Sequence, residues 1–217
     1  MKNYDILFFD LDGTLTDPGL GITNAVMYAL EKYGMEIPPR ESLYKFIGPP
    51  LIWSFQNYYG FSKEKTDEAV RFFREYFSVK GLYENEVYEG VPELLESLRA
   101  KGKTLCVATS KPEKFAVEIL EHFDLAKYFH HICGAEFDEK RGTKHEVIEY
   151  ALGRCGNPER GDVLMIGDRE HDILGAKAAG LGSLGVLYGY GDRAEHEAAG
   201  ANGIVETVAE LAAVLDA

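Results

Sequence analysis

The sequence predicts a doubly wound α/β protein with a mostly parallel sheet and an inserted α-helical segment. Short apolar runs recur along the chain, and most of them are separated by stretches with helical spacing. Between the first run and the second lies a long interval that holds helical patterns and no convincing strand.

The apolar runs are Tyr4–Phe9, Thr104–Ala108, His131–Cys133, Val163–Ile166, Leu184–Leu187 and Ile204–Val205. They lack the polar alternation of a half-exposed strand, so both of their faces are expected to be covered. Helical patterns follow at Pro92–Lys101, with Pro in its first turn and Gly102 closing it, and at Glu113–Phe123. Others lie at Lys144–Cys155, at Glu170–Ala179 closed by Gly180, and at Val208–Leu215. Strand alternating with helix implies right-handed crossovers and parallel pairing. In the long interval, Ile22, Val26, Leu30 and Tyr33 share a helical face that ends at Gly34 and the Pro38-Pro39 break. Glu41–Phe46, Pro50–Tyr59 and Lys65–Val79 continue the pattern, the last with Val70, Phe73 and Phe77 on one side. The expected organisation is a core of residues 1–17 and 85–217, with a helical cap over 18–84. Such a cap can act as a lid on the first strand's end; a bundle that merely stabilises is the plainer alternative.

The formal net charge of −13 argues against nucleic-acid polymers and anionic membranes as partners, because no basic surplus exists to neutralise phosphates over a large area. A small phosphorylated metabolite needs only a few local donors and stays open. No apolar run approaches the ~20 residues of a membrane span, and Ile6 to Phe9 is too brief for a signal-peptide core. Cys106, Cys133 and Cys155 form no CxxC pair and read as small buried hydrophobes. A cytoplasmic protein, monomeric or homodimeric, is expected.

In doubly wound sheets ligands bind beyond the carboxyl ends of the strands. After the first run comes Asp10-Leu11-Asp12-Gly13-Thr14, after the second Thr109-Ser110-Lys111, and after the fourth Gly167-Asp168-Arg169-Glu170-His171-Asp172. Lys144 opens the helix after His131–Cys133. Carboxylates at i and i+2 point the same way off a pleat. At the end of a buried strand they are costly without a metal or counter-charge. Asp168 adds a third oxygen, a set that suits Mg²⁺, which takes few carboxylates and keeps water and phosphate ligands. Lys144 balances the remaining charge and the Thr109 hydroxyl can donate to a phosphoryl oxygen. Cation, ammonium and hydroxyl donor around an anionic nucleophile are what phosphoryl transfer requires.

These residues resemble the four motifs of the haloacid dehalogenase superfamily, in order: Asp10-Leu11-Asp12-Gly13-Thr14; Val107-Ala108-Thr109-Ser110-Lys111-Pro112; Lys144; and Gly167-Asp168 with Asp172. The resemblance covers essentially the whole chain, including a helical cap after the first motif. It implies that Asp10 is the nucleophile and a metal ligand, and that Asp12 is the general acid–base and reaches the metal through its backbone carbonyl. It further implies that Thr109 and Lys144, with Ser110 beside them, hold the phosphoryl group. Asp168 would complete the Mg²⁺ site, and Asp172 would sit behind it or ligate through water. Family members often follow the third-motif Lys with Pro, whereas here Lys144 follows Arg141-Gly142-Thr143, so Arg141 remains a competitor.

Asp12 marks a leaving alkoxide that needs a proton, unlike the halide of a dehalogenase. Phe46-Ile47-Gly48-Pro49-Pro50-Leu51 and Tyr88-Glu89-Gly90-Val91-Pro92 look like the phosphoglycolate phosphatase group. The segment Gly167–Asp172, with Gly185–Gly191 beyond it, resembles 5′-nucleotidase-like members. The expected enzyme is therefore a Mg²⁺-dependent phosphomonoesterase. A β-phosphoglucomutase-type phosphomutase and a catalytically weak metal-binding regulator are the alternatives. Lys111 is expected just outside the phosphate site. Gly180-Leu181-Gly182-Ser183-Leu184-Gly185 fits the dinucleotide pattern, but it follows a helix and enters a strand, the reverse of what that mechanism needs.

Overall fold

The computed structural model describes residues 2–137 and 141–215. Six parallel strands form the main sheet in the order β5-β4-β1-β6-β7-β8. They are β1 (Ile6–Phe9), β4 (Thr104–Pro112), β5 (His131–Ala135), β6 (Val163–Gly167), β7 (Gly182–Val186) and β8 (Gly203–Val205). Each expected apolar run is one of these strands. The crossover helices are α4 (Val91–Ala100), α5 (Glu113–His122), α6 (Lys144–Arg154) and α7 (Glu170–Ala178), with α8 (Arg193–Ala199) and α9 (Val208–Leu215) towards the C-terminus.

Alternation along β1 explains why its residues are all apolar. Leu7 and Phe9 enter a cluster with Leu95 of α4, Ile119 of α5 and Leu211 of α9, while Phe8 points the other way among Ile148 of α6 and Ala176 of α7. Helices thus cover both faces, and a polar residue on either would be buried. Strand β1 lies between β4 and β6, in register Phe9↔Val107 and Phe9↔Ile166. The carboxyl ends of three neighbouring strands therefore meet at Asp10.

Between β2 (Thr16–Asp17) and β3 (Glu86–Val87) the chain is helical: α1 (Gly19–Lys32), a 3₁₀ segment Arg40–Phe46, α2 (Leu51–Tyr59), α3 (Lys63–Tyr76) and a π turn Phe77–Gly81. Strands β2 and β3 pair antiparallel, Thr16 with Val87 and Asp17 with Glu86. The sequence shows these crossings only as turn-prone segments, since two residues are too few for periodicity. Helix α3 ends three residues before the expected Val79, and the π turn widens the backbone there. The apolar interior of the helical segment, including Phe46, Phe55 and Phe73, is continuous with the cluster on one face of the sheet. No helix among the described residues is long and apolar enough to cross a membrane.

Candidate active site

Asp10 leaves β1 while its amide still donates to the Ile166 carbonyl at 2.9 Å, so its backbone is held by the neighbouring strand. Asp10, Asp12, Thr109, Lys144, Asp168 and Asp172 are all buried. One oxygen each from Asp10, Asp168 and Asp172 lies within 4.8 Å of the others.

Lys144 reaches this cluster through the start of α6. Thr143 caps that helix: its hydroxyl accepts from the Glu146 amide at 3.3 Å, and the Glu146 carboxylate accepts from the Thr143 amide at 2.9 Å. The first helical residue is therefore Lys144. A cation at a helix N-terminus opposes the macrodipole, and the site supplies the compensation. The ammonium donates to Asp10 Oδ1 at 2.8 Å and to the Ala108 carbonyl at 3.0 Å, and lies 2.7 Å from Asp172 Oδ1. Burial works against its charged form, but Asp10 and Asp172 outweigh burial and hold its pKa above the ordinary lysine value. Arg141, the competitor, points elsewhere: it donates to the Gly134 carbonyl at 2.7 Å and pairs with Glu113 and Glu136.

Asp168 is framed by backbone. Its Oδ2 accepts from the Tyr190 amide at 2.8 Å, while Oδ1 is buried without a hydrogen-bond partner. A Cβ on Gly13 would lie 2.1 Å from Asp168 Oδ2, and Gly13 has φ +85°, so only glycine fits this turn. Burial, then the charges of Asp172 and Asp10, push the Asp168 carboxyl well above the usual range. Asp172 divides its oxygens: Oδ2 accepts from the Arg169 amide at 3.1 Å to start α7, and Oδ1 faces Lys144. Burial also raises Asp172, against the pull of Lys144.

Asp12 stands apart. Its Oδ2 accepts from Lys111 Nζ at 2.5 Å, and its carboxylate is outside the three-carboxylate cluster. Burial lifts its pKa, with Lys111 opposing. Lys111 arrives there because β4 continues past Ala108 and shifts register between Thr109 and Pro112. Such irregularities re-aim side chains beside sites. The Lys111 amide donates to Thr109 Oγ1 at 3.2 Å, and its ammonium lies 4.7 Å from the centre of the Phe77 ring. Lys111 thus bonds Asp12 directly, a contact that no local sequence pattern shows. Ser110 lines a cleft of about 90 Å³ with Lys111, Phe46, Phe73, Phe77 and Phe115. His145, His171 and Trp53 line a separate cleft that also touches Ser110 and Lys144.

The donor set fits a small hard cation: three clustered carboxylates, with Asp168 Oδ1 buried and without a hydrogen-bond partner, and, among the described residues, one ammonium bonded to them. Sequence reasoning missed the supporting contacts of Arg169, Tyr190 and Glu195, which carry no local signal.

The haloacid dehalogenase-like hydrolase family model matches residues 7–186. The 5′-nucleotidase of Pseudomonas aeruginosa is 49% identical over 192 residues, covering 88% of this chain and 86% of that protein. The tyrosine-protein kinase PtkA of Mycobacterium tuberculosis is 38% identical over 187 residues, which cover 86% of this chain but only 63% of PtkA. A crystal structure of a "predicted phosphatase" from Clostridium acetobutylicum superposes with a TM-score of 0.96 at 47% identity, covering 100% of both chains. Matched over most of its length, the chain belongs to the haloacid dehalogenase-like hydrolase family and is a phosphatase of it.

Proposed function

We propose that this phosphatase hydrolyses a small phosphate monoester through a phosphoryl group carried on Asp10, with residues 18–84 as its cap. The observation that carries the reading is the different setting of two carboxylates two residues apart. Asp10 is bonded to Lys144, whereas Asp12 is raised by burial and held separately by Lys111. Two carboxylates in distinct environments can take distinct roles.

Asp10 attacks phosphorus, and Asp12 gives its proton to the departing alkoxide oxygen. Asp12, now a base, takes a proton from water as that water attacks phosphorus and breaks the bond to Asp10. Lys144, with the Thr109 and Ser110 hydroxyls, holds the phosphoryl oxygens, and Lys111 orients Asp12. Mg²⁺ held by Asp10, Asp168 and the Asp12 carbonyl, with Asp172 behind, would supply positive charge against the phosphoryl oxygens.

The leaving-group cleft, walled by Phe46, Phe73, Phe77 and Phe115, supports a ring-bearing alcohol. Together with the likeness to a 5′-nucleotidase it favours a nucleoside over glycolate. At about 90 Å³ the cleft is below the roughly 300 Å³ usual for ligand sites, so the cap must open to admit a nucleoside. Phosphate release measured over nucleoside monophosphates, phosphoglycolate, sugar phosphates and pyrophosphate tests this. Nucleoside monophosphates should give the largest kcat/KM; release from none of the panel would refute the phosphatase mechanism.

Metal dependence has a pH signature. The Asp168 carboxyl is raised when no cation is bound, so its ionised form costs stability above the unfolded carboxylate pKa and ceases to do so on acidification. Cation binding needs the ionised form. Saturating Mg²⁺ should therefore raise Tm by about 5 °C at pH 8, and by clearly less at pH 5.5. Chelator should abolish turnover, and Ca²⁺, with its larger and looser shell, should inhibit. A Tm shift equal at both pH values would count against the assigned ligands.

A further inference from the structure

We propose that Arg169 is a latch that clamps the Ile47–Pro50 loop onto the core and thereby sets one wall of the leaving-group cleft. Its kinetic consequence rests on the cap reading above; its structural consequence does not. Arg169 directly follows Asp168, yet its side chain runs away from the carboxylates. Nη1 donates to the Ile47 carbonyl at 2.6 Å, and Nε donates to Glu195 Oε1 at 2.9 Å. The same Glu195 oxygen accepts from the Glu170 amide at 2.6 Å, which ties α8 to the start of α7. One guanidinium thus joins a rigid core anchor to the helical segment. Its rigid planar fork holds two acceptors from different elements in fixed directions, where a lysine offers a single flexible point charge.

The surroundings of Arg169 agree with this assignment. Its side chain is 14% exposed and that of Glu195 is 20% exposed, so the contact is largely withdrawn from water. Gly48 has φ +101°, and a Cβ there would lie 2.9 Å from Arg169 Cγ, so the loop backbone rests on the arginine stem. Gly48, Pro49 and Pro50 all line the leaving-group cleft. Arg74, which also lines this cleft, donates to the Phe137 carbonyl at a longer 3.4 Å.

A second link ties the same carboxylate loop to the cap's entry. The Tyr190 amide holds Asp168, its hydroxyl donates to Asp17 in β2, and its ring lies 5.4 Å from that of Tyr44. Opening the cap must therefore break a charged hydrogen bond one residue from Asp168 and disturb the loop that frames it. Arg169 does not reach the phosphoryl site, so it is a positioning residue.

The test uses the full chain carrying Arg169→Met, which keeps the stem, and Arg169→Lys, which keeps the charge but loses the planar fork. Glu195→Gln, which removes charge from the core anchor, provides a second route should Arg169→Met fold poorly. Amide hydrogen exchange without substrate is the readout that needs no activity. Exchange across residues 44–58 should rise about tenfold in Arg169→Met, less in Arg169→Lys and Glu195→Gln, with the sheet strands unchanged. KM for the best ester of the phosphate-release panel should rise by a similar factor, while a small activated aryl phosphate is affected much less. Unchanged exchange across 44–58, or equal losses on both esters, would overturn the latch. If the wild-type chain hydrolyses no ester, the phosphatase mechanism fails while the exchange result still decides the latch.

Discussion

Asp10→Asn should lower ester hydrolysis by on the order of 10⁴-fold in a protein that still folds. Asparagine matches aspartate in shape, and its amide oxygen can still accept from Lys144, which now reaches Asp10 Oδ1 at 2.8 Å. What disappears, on the proposed mechanism, is the anionic oxygen that attacks phosphorus. Positioning by Lys144 and Thr109 survives but has no nucleophile to serve. Acid quenching during turnover of a phosphate-labelled ester should trap label on the wild-type chain and none on the variant. The trapped label should be acid-stable and released by base or hydroxylamine, as an acyl phosphate is. Turnover near the wild-type rate in a folded Asp10→Asn protein would sink the covalent mechanism, and label trapped on the variant would move the nucleophile elsewhere.

The part of this site legible in the sequence is the part that follows from strand ends. Asp10 and Thr109 stand directly after an apolar run and Asp168 one residue beyond another, and β4, β1 and β6 prove to be neighbours in the sheet. Fully buried strands announce themselves because neither face can hold a polar residue. Lys144, read from sequence as opening the helix after His131–Cys133, is fixed there by the capping box of Thr143 and Glu146. The Lys111–Asp12 contact is not legible in the sequence because the apolar run stops at Ala108, whereas the strand carries on to Pro112 through a register shift. That shift turns Lys111 onto Asp12, and no local pattern encodes it. Helix α8 was missed because seven short or charged residues show no apolar stripe; its cap by Asp192, accepting from the Glu195 amide at 2.8 Å, is its only local cue. Arg169, Glu195 and Tyr190 act through contacts that span 22 to 173 positions in sequence. Contacts of that range exist only once the sheet has closed.

Lys144→Met should weaken both the reaction and the fold, and the two losses should respond differently to pH. Lys144 is the one ammonium bonded to the Asp10–Asp168–Asp172 cluster among the described residues, with contacts of 2.7–3.0 Å. Methionine fills a similar volume but leaves buried carboxylates without a cation, a change that costs about 3–5 kcal/mol when a buried pair is broken. The penalty belongs to the ionised carboxylates. Burial already raises Asp168 and Asp172, and losing the ammonium raises Asp172 further. The stability gap between wild type and variant should therefore be widest near pH 8. It should shrink as pH falls through those raised values, and Mg²⁺ should narrow it at neutral pH. The catalytic loss, roughly 10²–10³-fold in kcat, has another origin in the proposed mechanism: a charged donor to the transferring phosphoryl oxygens is gone. Saturating Mg²⁺ should restore the fold without restoring that factor. Arg141→Met should leave kcat within a few-fold of wild type, because Arg141 bonds Gly134, Glu113 and Glu136 instead of the cluster. The reverse pattern, a mild Lys144→Met beside a crippled Arg141→Met, would hand the phosphate to Arg141. A Lys144→Met protein whose kcat recovers fully once Mg²⁺ refolds it would reduce Lys144 to a structural counter-ion.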